Sequence, residues 1–370
     1  MKKIGIITIN DYNNYGNRLQ NYATQEVLRY LGFSVETIIN HSVNSIPYDY
    51  IEKESLLKKV KKIKNKSIQQ IFQKIRSIKL QKKRMDEFKK FTLNFINESE
   101  YVVSNDNVPS SLNNEFDFFI SGSDQIWNPV YGHGTPIDFL MFADEEKRIA
   151  YAPSFGISEI PSEYEPSFKI GLSKMSKLSV REKSGAEIIK KLTGRDADVL
   201  IDPTMMLTAE KWLSVSQPAS CKSQGKYLLT YFLGDLPKQN KVRIQKIAKI
   251  YSLEIISLLD INCEKAFTAG PGEFIDLINS ASIVCTDSFH GVVFSLLLGI
   301  PFIVFEREGK EPSMGSRIQT LLAIFDMRNR TIQNITDDHN IMRIDFSKVK
   351  AVLENEREKT IRYLSTALND

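Results

Sequence analysis

The stretch that decides the fold is Ala281-Ser282-Ile283-Val284-Cys285-Thr286-Asp287-Ser288-Phe289-His290-Gly291, followed by the apolar run Val292 to Gly299. A short apolar strand ends in a hydroxyl-rich turn, and a histidine and a glycine then open an apolar helix. In a parallel sheet this places an imidazole and free backbone N–H groups at the carboxyl ends of the strands, where α/β proteins bind anions and carry out chemistry. The chain has four histidines, His41, His133, His290 and His339. His290 is therefore the first candidate for an acid or base.

Outward from this stretch the same alternation recurs. Lys3–Ile9 reads as a strand, 10–17 as a polar loop, and Arg18–Leu31 as a helix stopped by Gly32. Further strands are expected at Ser34–Ile39, Glu115–Ile120, Lys147–Ala152, Leu178–Arg181 and Asp198–Ile201. After a looser segment, 217–225, a second set begins: strands at Lys226–Phe232, Leu253–Leu258, Ile283–Cys285 and Pro301–Phe305, with helices between. Strands alternating with helices at this spacing predict parallel sheets covered on both faces. The expected fold class is α/β, with two doubly wound, Rossmann-like domains facing a cleft. The divisions predicted are an acceptor-side unit at 1–205, with a helical insertion at about 50–97, a donor-side unit at 206–345, and a C-terminal helix at 346–370.

Composition bounds the rest. At 370 residues the chain has room for two cores. The N-terminal apolar run is too short and too β-branched for a signal peptide, so a cytoplasmic protein is expected. The three cysteines, Cys221, Cys263 and Cys285, are scattered, as are the histidines, so neither a disulfide framework nor a metal site is expected. Net charge is only +4, but Lys53 to Lys90 holds about 15 basic and about three acidic residues, and the remainder is net acidic. Apolar residues recur there near helical spacing. One reading is a solvated helix or helical hairpin; the other is a basic amphipathic face for an anionic membrane surface or an anionic acceptor. The stretch lacks the interleaved aromatics of a nucleic-acid binder, and nucleic acid is not an expected partner.

Several motifs in order resemble the polysaccharide pyruvyl transferase family. They are Ile4-Gly5-Ile6; Asn14 to Ala23; Phe116 to Pro129 with Ser121-Gly122-Ser123-Asp124-Gln125; Ser179-Val180-Arg181-Glu182-Lys183-Ser184-Gly185; Asp202-Pro203-Thr204; and Thr286 to Gly291. The resemblance covers nearly the whole chain apart from the basic insertion. It implies a GT-B-like fold and transfer of a pyruvyl group from phosphoenolpyruvate, the donor substrate, to a saccharide or lipid-linked saccharide as a cyclic ketal. No further cofactor is implied. In characterised members an Arg-Leu pair precedes the histidine, and that arginine helps bind the donor; here Ser288-Phe289 stands in those places.

A site for phosphoenolpyruvate needs cations, N–H donors and an acid for the methylene carbon. His290 suits the acid, and Asp287 is a candidate to hold it in one tautomer. Arg181 ends a strand and is a candidate to grip the donor with two parallel hydrogen bonds; the alternative is a buried pair with Glu182 or another acid. Ser288 and Gly291 at the helix start join the donor side, and Arg317 or Arg307 is placed to supply the charge that Ser288 lacks. Asp124 is a candidate to orient or deprotonate an acceptor hydroxyl. Asn14, Tyr15, Asn17, Gln20, Ser123 and Gln125 carry amide, phenol or hydroxyl groups suited to sugar hydroxyls, with loop capping as the alternative for those of the first loop. Trp127 offers a face for a sugar ring or belongs to the core. Two other functions fit the same architecture: a glycosyltransferase using a nucleotide sugar, and a non-catalytic saccharide-binding protein.

Overall fold

The computed structural model describes residues 1–43, 68–222, 225–308 and 315–369. The first half is a five-stranded sheet in the order β3-β2-β1-β4-β5. Its strands are β1 (Lys3–Ile7), β2 (Ser34–Asn40), β3 (Glu98–Val103), β4 (Phe118–Ser121) and β5 (Arg148–Ala150). All neighbours run parallel, with Ile4 facing Val35 on one side and Phe118 on the other. β1 is buried almost throughout, as a central parallel strand covered on both faces must be. A short parallel pair, β6 (Ser179–Val180) and β7 (Asp198–Val199), continues the sheet through a bridge between Ile149 and Lys177.

The second half is a four-stranded parallel sheet in the order β11-β10-β8-β9: β8 (Tyr227–Tyr231), β9 (Glu254–Ser257), β10 (Ile283–Thr286) and β11 (Phe302–Val304). The strand expected at Glu115–Ile120 is shorter and later than its apolar run implied. Leu112–Glu115 is a helical turn, and Asp117 is spent accepting from the Lys3 backbone N–H.

Long helices connect the strands: α1 (Tyr15–Tyr30), α2 (Ile68–Phe95), α3 (Glu165–Ser173), α4 (Lys183–Thr193), α5 (Lys238–Ile250), α6 (Pro271–Asn279), α7 (Phe289–Leu298), α8 (Gly315–Ile324) and α9 (Val349–Asn369). The first part of the basic segment, up to residue 67, lies outside the described residues. Its second part is α2, one helix whose apolar face is not all apolar: Leu80, Arg84, Phe88 and Phe91 are all buried. α9 crosses back to the first sheet. Leu364, Ala367 and Leu368 pack with Ile4, Ile6 and Val27, and the Tyr363 hydroxyl donates to the Ala150 carbonyl.

The two halves share one apolar core. Tyr15 and Leu19 of α1 pack with Phe274, Phe289 and Phe294 of the second half and with Phe88 of α2. Tyr15 stacks on Phe274 at 4.5 Å between centroids. Each sheet also has a reversal of strand order, between β1 and β4 and between β8 and β10. The loops leaving those strands diverge and open a crevice. The shared core turns the two crevices toward each other.

Candidate active site

The loop after β10 begins with Thr286, whose hydroxyl donates to the Tyr231 carbonyl and accepts from the Ser288 N–H. Ser288 caps α7, its Oγ accepting from Gly291 N–H at 3.5 Å. A Cβ on Gly291 would lie 2.6 Å from Thr286 Oγ1, so the helix starts hard against the strand end. Ser288 and Gly291 therefore close the start of their own helix, and no donor contact is needed to explain either. The helix is apolar all round and buried, and it ends at Gly299, where φ is +68°. His290 is carried in its first turn.

His290 points out of its own half. A Cβ on Gly16 would fall 2.0 Å from His290 Nδ1, so the imidazole lies directly on the first turn of α1. Only glycine leaves that room. His290 Nε2 is 3.8 Å from Asp202 Oδ2, within ion-pair range and beyond hydrogen-bond length, and it has no hydrogen-bond partner. The ring is 5% exposed.

Asp202 is the hub. It follows β7 and caps the turn at Pro203–Met206, where Oδ1 accepts from the Thr204 N–H and hydroxyl. Its Oδ2 receives Arg181 Nη1 as well as facing His290. Burial by itself would raise the Asp202 carboxyl. Arg181, and then His290, overcome burial and hold it well below the usual carboxylate range. Arg181 Nη2 reaches Asp124 Oδ1 at 3.1 Å, and Asn17 Nδ2 donates to Asp124 Oδ2 at 2.5 Å. Arg317, at the start of α8, brings Nη1 to 3.7 Å from Asp124 Oδ1. Burial would raise Asp124 too, but Arg181, His290 and Arg317 together lower it. Burial first, and the Arg181 charge second, push the Arg317 guanidinium down to about 10.

Phe289, which stands where the family pattern has leucine, lies between two arginines. Arg181 lies 4.5 Å and Arg317 5.7 Å from its ring centroid, so one guanidinium from each half flanks the same aromatic ring. Arg317 thus brings a second guanidinium to the cluster. Arg307 goes elsewhere: its Nε is 3.2 Å from Asp287 Oδ2.

Several expectations need correction. Asp287 does not orient His290. Its two oxygens accept from the Leu233 and Gly234 N–H groups and from Arg307, which fastens the β10 loop to the β8 loop. Asp124 is not free to deprotonate a hydroxyl, since both oxygens are taken by Asn17 and the arginines. Arg181 cannot grip an anion with two parallel bonds, because both terminal nitrogens are committed to Asp202 and Asp124; only its Nε lacks a partner. Trp127 is fully buried, with Nε1 donating to the Asp138 carbonyl, and offers no face to a sugar. Tyr15 is equally buried, its hydroxyl donating to the Ala269 carbonyl. Gln20 and Ser123 are inside as well. Gln20 donates to Thr8 Oγ1 and accepts from Ser123 N–H, and the Ser123 hydroxyl donates to the Ala152 carbonyl. These residues brace the loops. Asn14 caps α1. Gln125, half-buried, accepts from Asn128 Nδ2.

Two contributors went unassigned in the sequence. Asp202 sits in a quoted motif, and a carboxylate between a strand end and a proline was its available signal. Arg84 shows as an arginine at i, i+4 spacing between Leu80 and Phe88. It lies 4.4 Å from the Tyr15 ring centroid and donates to the Tyr15 hydroxyl, to Asn13 Oδ1 and to the Phe267 carbonyl, pinning the first loop to the second half. Among the described residues no group of three or more His, Cys, Asp or Glu is placed to hold a metal ion.

Comparison with known sequences decides the family. The sequence model described as polysaccharide pyruvyl transferase matches residues 14–309. The chain belongs to this family. No curated protein matches it by sequence. Similar solved structures include the UDP-GlcNAc 2-epimerase of Methanocaldococcus jannaschii, 13% identical over 98% of this chain and 99% of that one, with a TM-score of 0.47. The UDP-GlcNAc 2-epimerase of Neisseria meningitidis, bound to UDP-GlcNAc, is 10% identical over 97% and 94%, with a TM-score of 0.46. The glycosyltransferase SnogD of Streptomyces nogalater is 10% identical over 99% of each chain, with a TM-score of 0.39. At these values the likenesses say nothing about activity. Within the family, the matched span takes in α1, Asp124, Arg181, Asp202 and His290, and thus most of the cluster.

Proposed function

We propose that this pyruvyl transferase family member moves the pyruvyl group of phosphoenolpyruvate onto two hydroxyls of a saccharide, forming a cyclic ketal and releasing phosphate. The observation that carries the reading is His290. Its imidazole is seated on Gly16 of the opposite half, with Nε2 unpartnered beside a carboxylate–guanidinium cluster. A proton donor fixed in this way fits the step the donor demands, which is protonation of the methylene carbon as oxygen attacks the neighbouring carbon. Arg317 and the free Nε of Arg181 offer positive charge and an N–H to the donor's carboxylate and phosphate.

The acceptor is proposed to be a saccharide or lipid-linked saccharide of the cell surface, met at the cytoplasmic face of the membrane. Among the described residues no helix is long and apolar enough to cross a membrane. The exposed lysines of α2, Lys79, Lys83 and Lys90 among them, are proposed to favour anionic headgroups.

The test is phosphate release from phosphoenolpyruvate in the presence of a panel of hexoses and N-acetylhexosamines, free and nucleotide-linked. Saccharide-dependent phosphate release is expected, falling by about 10²–10⁴-fold in His290→Ala. Release of a nucleoside diphosphate from a sugar nucleotide, with phosphoenolpyruvate untouched, would replace this function by glycosyl transfer.

A further inference from the structure

Ketal formation needs a base as well as an acid, because each attacking hydroxyl must lose its proton. The carboxylates around His290 are unsuited to that task. Asp202 is held by Arg181 and Thr204, and Asp124 by Asn17 and the two arginines. Asp287 accepts two backbone N–H groups and Arg307. Glu182 Oε1 accepts from the Ser154 hydroxyl and the Phe155 and Gly156 N–H groups; Oε2 has no partner, but the residue is fully buried. Asp202, Asp124 and Asp287 are already paired with guanidinium groups, which makes them poor proton acceptors, and Glu182 is sealed away from an incoming hydroxyl.

Asp11 differs from all of these. It lies in the loop leaving β1, at the reversal of strand order in the first sheet, and it is exposed. Among the described residues its Oδ1 accepts only the Asn13 N–H, at 2.8 Å, and neither oxygen is in a salt bridge. Its own N–H donates to Asn17 Oδ1 at 3.2 Å, and the amide of Asn17 donates to Asp124. Asp11, which has open surface, is therefore joined to the Asp124 end of the His290 cluster through one residue, Asn17. Arg84 fixes the loop from behind through the side chain and carbonyl of Asn13.

We propose that Asp11 is the general base that takes the proton from the attacking acceptor hydroxyl. The inference rests on the pyruvyl-transfer reading above. The first hydroxyl oxygen bonds to C2 of phosphoenolpyruvate while its proton passes to Asp11, and the C2–C3 π pair takes a proton from His290 to become a methyl group. The second hydroxyl then bonds to C2 and the C2–O bond to phosphate breaks. That hydroxyl's proton leaves with the phosphate, and the proton on Asp11 returns through solvent to His290. The sum is phosphoenolpyruvate plus diol giving ketal plus hydrogen phosphate, with no oxidant or reductant.

The surroundings support the assignment. Although the residue has open surface, the protein atoms packed around its carboxyl desolvate it and raise it, and the Asp124 charge adds to this. The Asn13 N–H, Arg18 and Arg84 oppose the rise without cancelling it. These two arginines and Asp124 are the charged groups facing it, with Glu98 behind, paired to Arg18. A base with a raised pKa gives an acid limb in the activity profile above the ordinary aspartate range.

The experiment compares wild type with Asp11→Asn and Asp11→Ser, both of which keep an acceptor for the Asn13 N–H. Phosphate release from phosphoenolpyruvate with the saccharide panel and melting temperature are measured in parallel. The expected result is a kcat loss of about 10²–10⁴-fold in both variants. The phosphoenolpyruvate KM should stay within a few-fold, the acid limb should vanish, and the melting temperature should not change. If wild type releases phosphate and both variants keep kcat within a few-fold, or lose it only in step with a lower melting temperature, Asp11 is not the base and the pyruvyl-transfer reading stands. If wild type releases no phosphate with any saccharide, both readings fall.

Discussion

Asp287 and His290 are three residues apart on one turn, and they belong to different parts of the molecule. Asp287 turns inward, accepts two backbone N–H groups of the β8 loop and pairs with Arg307, all within the second half. His290 turns outward and finds its neighbours, Gly16 and Asp202, in the first half. The first cluster holds a loop in shape. The second joins two halves and leaves one nitrogen without a partner. The lesson concerns charge as much as direction, because the carboxylate nearest a histidine's ring need not be its neighbour in sequence when a second sheet faces it.

The sharpest way to break this comparison is to remove the cation that binds the interface carboxylates. Arg181→Ala strands Asp202 and Asp124 in a buried site, and breaking a buried pair of this kind costs about 3–5 kcal/mol. Urea denaturation should show that loss, together with a collapse of turnover. The pH dependence has a definite sign. Asp202 and Asp124 are lowered in the folded protein, so they stabilise it above their unfolded pKa of about 4, and that stability is lost as pH falls below it. In Arg181→Ala the decline below about pH 4 should be shallower than in wild type. A variant as stable as wild type, with the same acid profile, would mean that the two halves are not held through this guanidinium.

Much of the fold was legible because parallel strands buried on both faces leave continuous apolar runs, as in Lys3–Ile7 and Ile283–Thr286. The helix stop at Gly32 was equally plain: α1 ends at Tyr30, and Gly32 has φ of +90°. The site was legible in membership more than in role. Asn17, Asp124, Arg181, His290 and Arg317 do come together, but side-chain type does not say which way a residue faces. Tyr15, Gln20, Ser123 and Trp127 have the chemistry of sugar ligands and are buried as braces. Arg181 realises its alternative, a buried pair, with two acids distant in sequence. Asp202 and Arg84 escaped assignment because their partners lie more than 20 and more than 65 residues away, a separation no local pattern reports.

The comparison is sharpened next at Gly16. Gly16→Ala gains about 0.5–1 kcal/mol of helix propensity, which offsets part of the roughly 1–3 kcal/mol that crowding a packed site costs, so the melting temperature should change by only a few degrees. The added methyl has no room beside His290 Nδ1, and the ring must shift. Displacing a reacting group by about 1 Å can cost on the order of 10²-fold. The expected outcome is a kcat loss of that size with stability kept, whereas Gly234→Ala, which crowds Arg307 on the inward-facing side, should leave kcat within a few-fold. Equal losses at both glycines would remove the distinction between the two clusters.

The smallest effect is expected at Arg307 itself. Asp287 keeps its two backbone N–H partners when Arg307 is truncated, so it is not left bare as Asp202 would be. The side chain of Arg307 is 15% exposed, and solvent reaches the gap it would leave. Arg307→Ala should therefore cost about 1.5–3 kcal/mol, the range for a hydrogen bond to a charged group, with the lower end favoured by that access. If the donor binds at the Asp124 cluster beside Arg317, as proposed, the phosphoenolpyruvate KM should stay within a few-fold. A strong rise in that KM would mean that the donor sits over the β10 loop. In that case Asp287 and His290 would share one site after all.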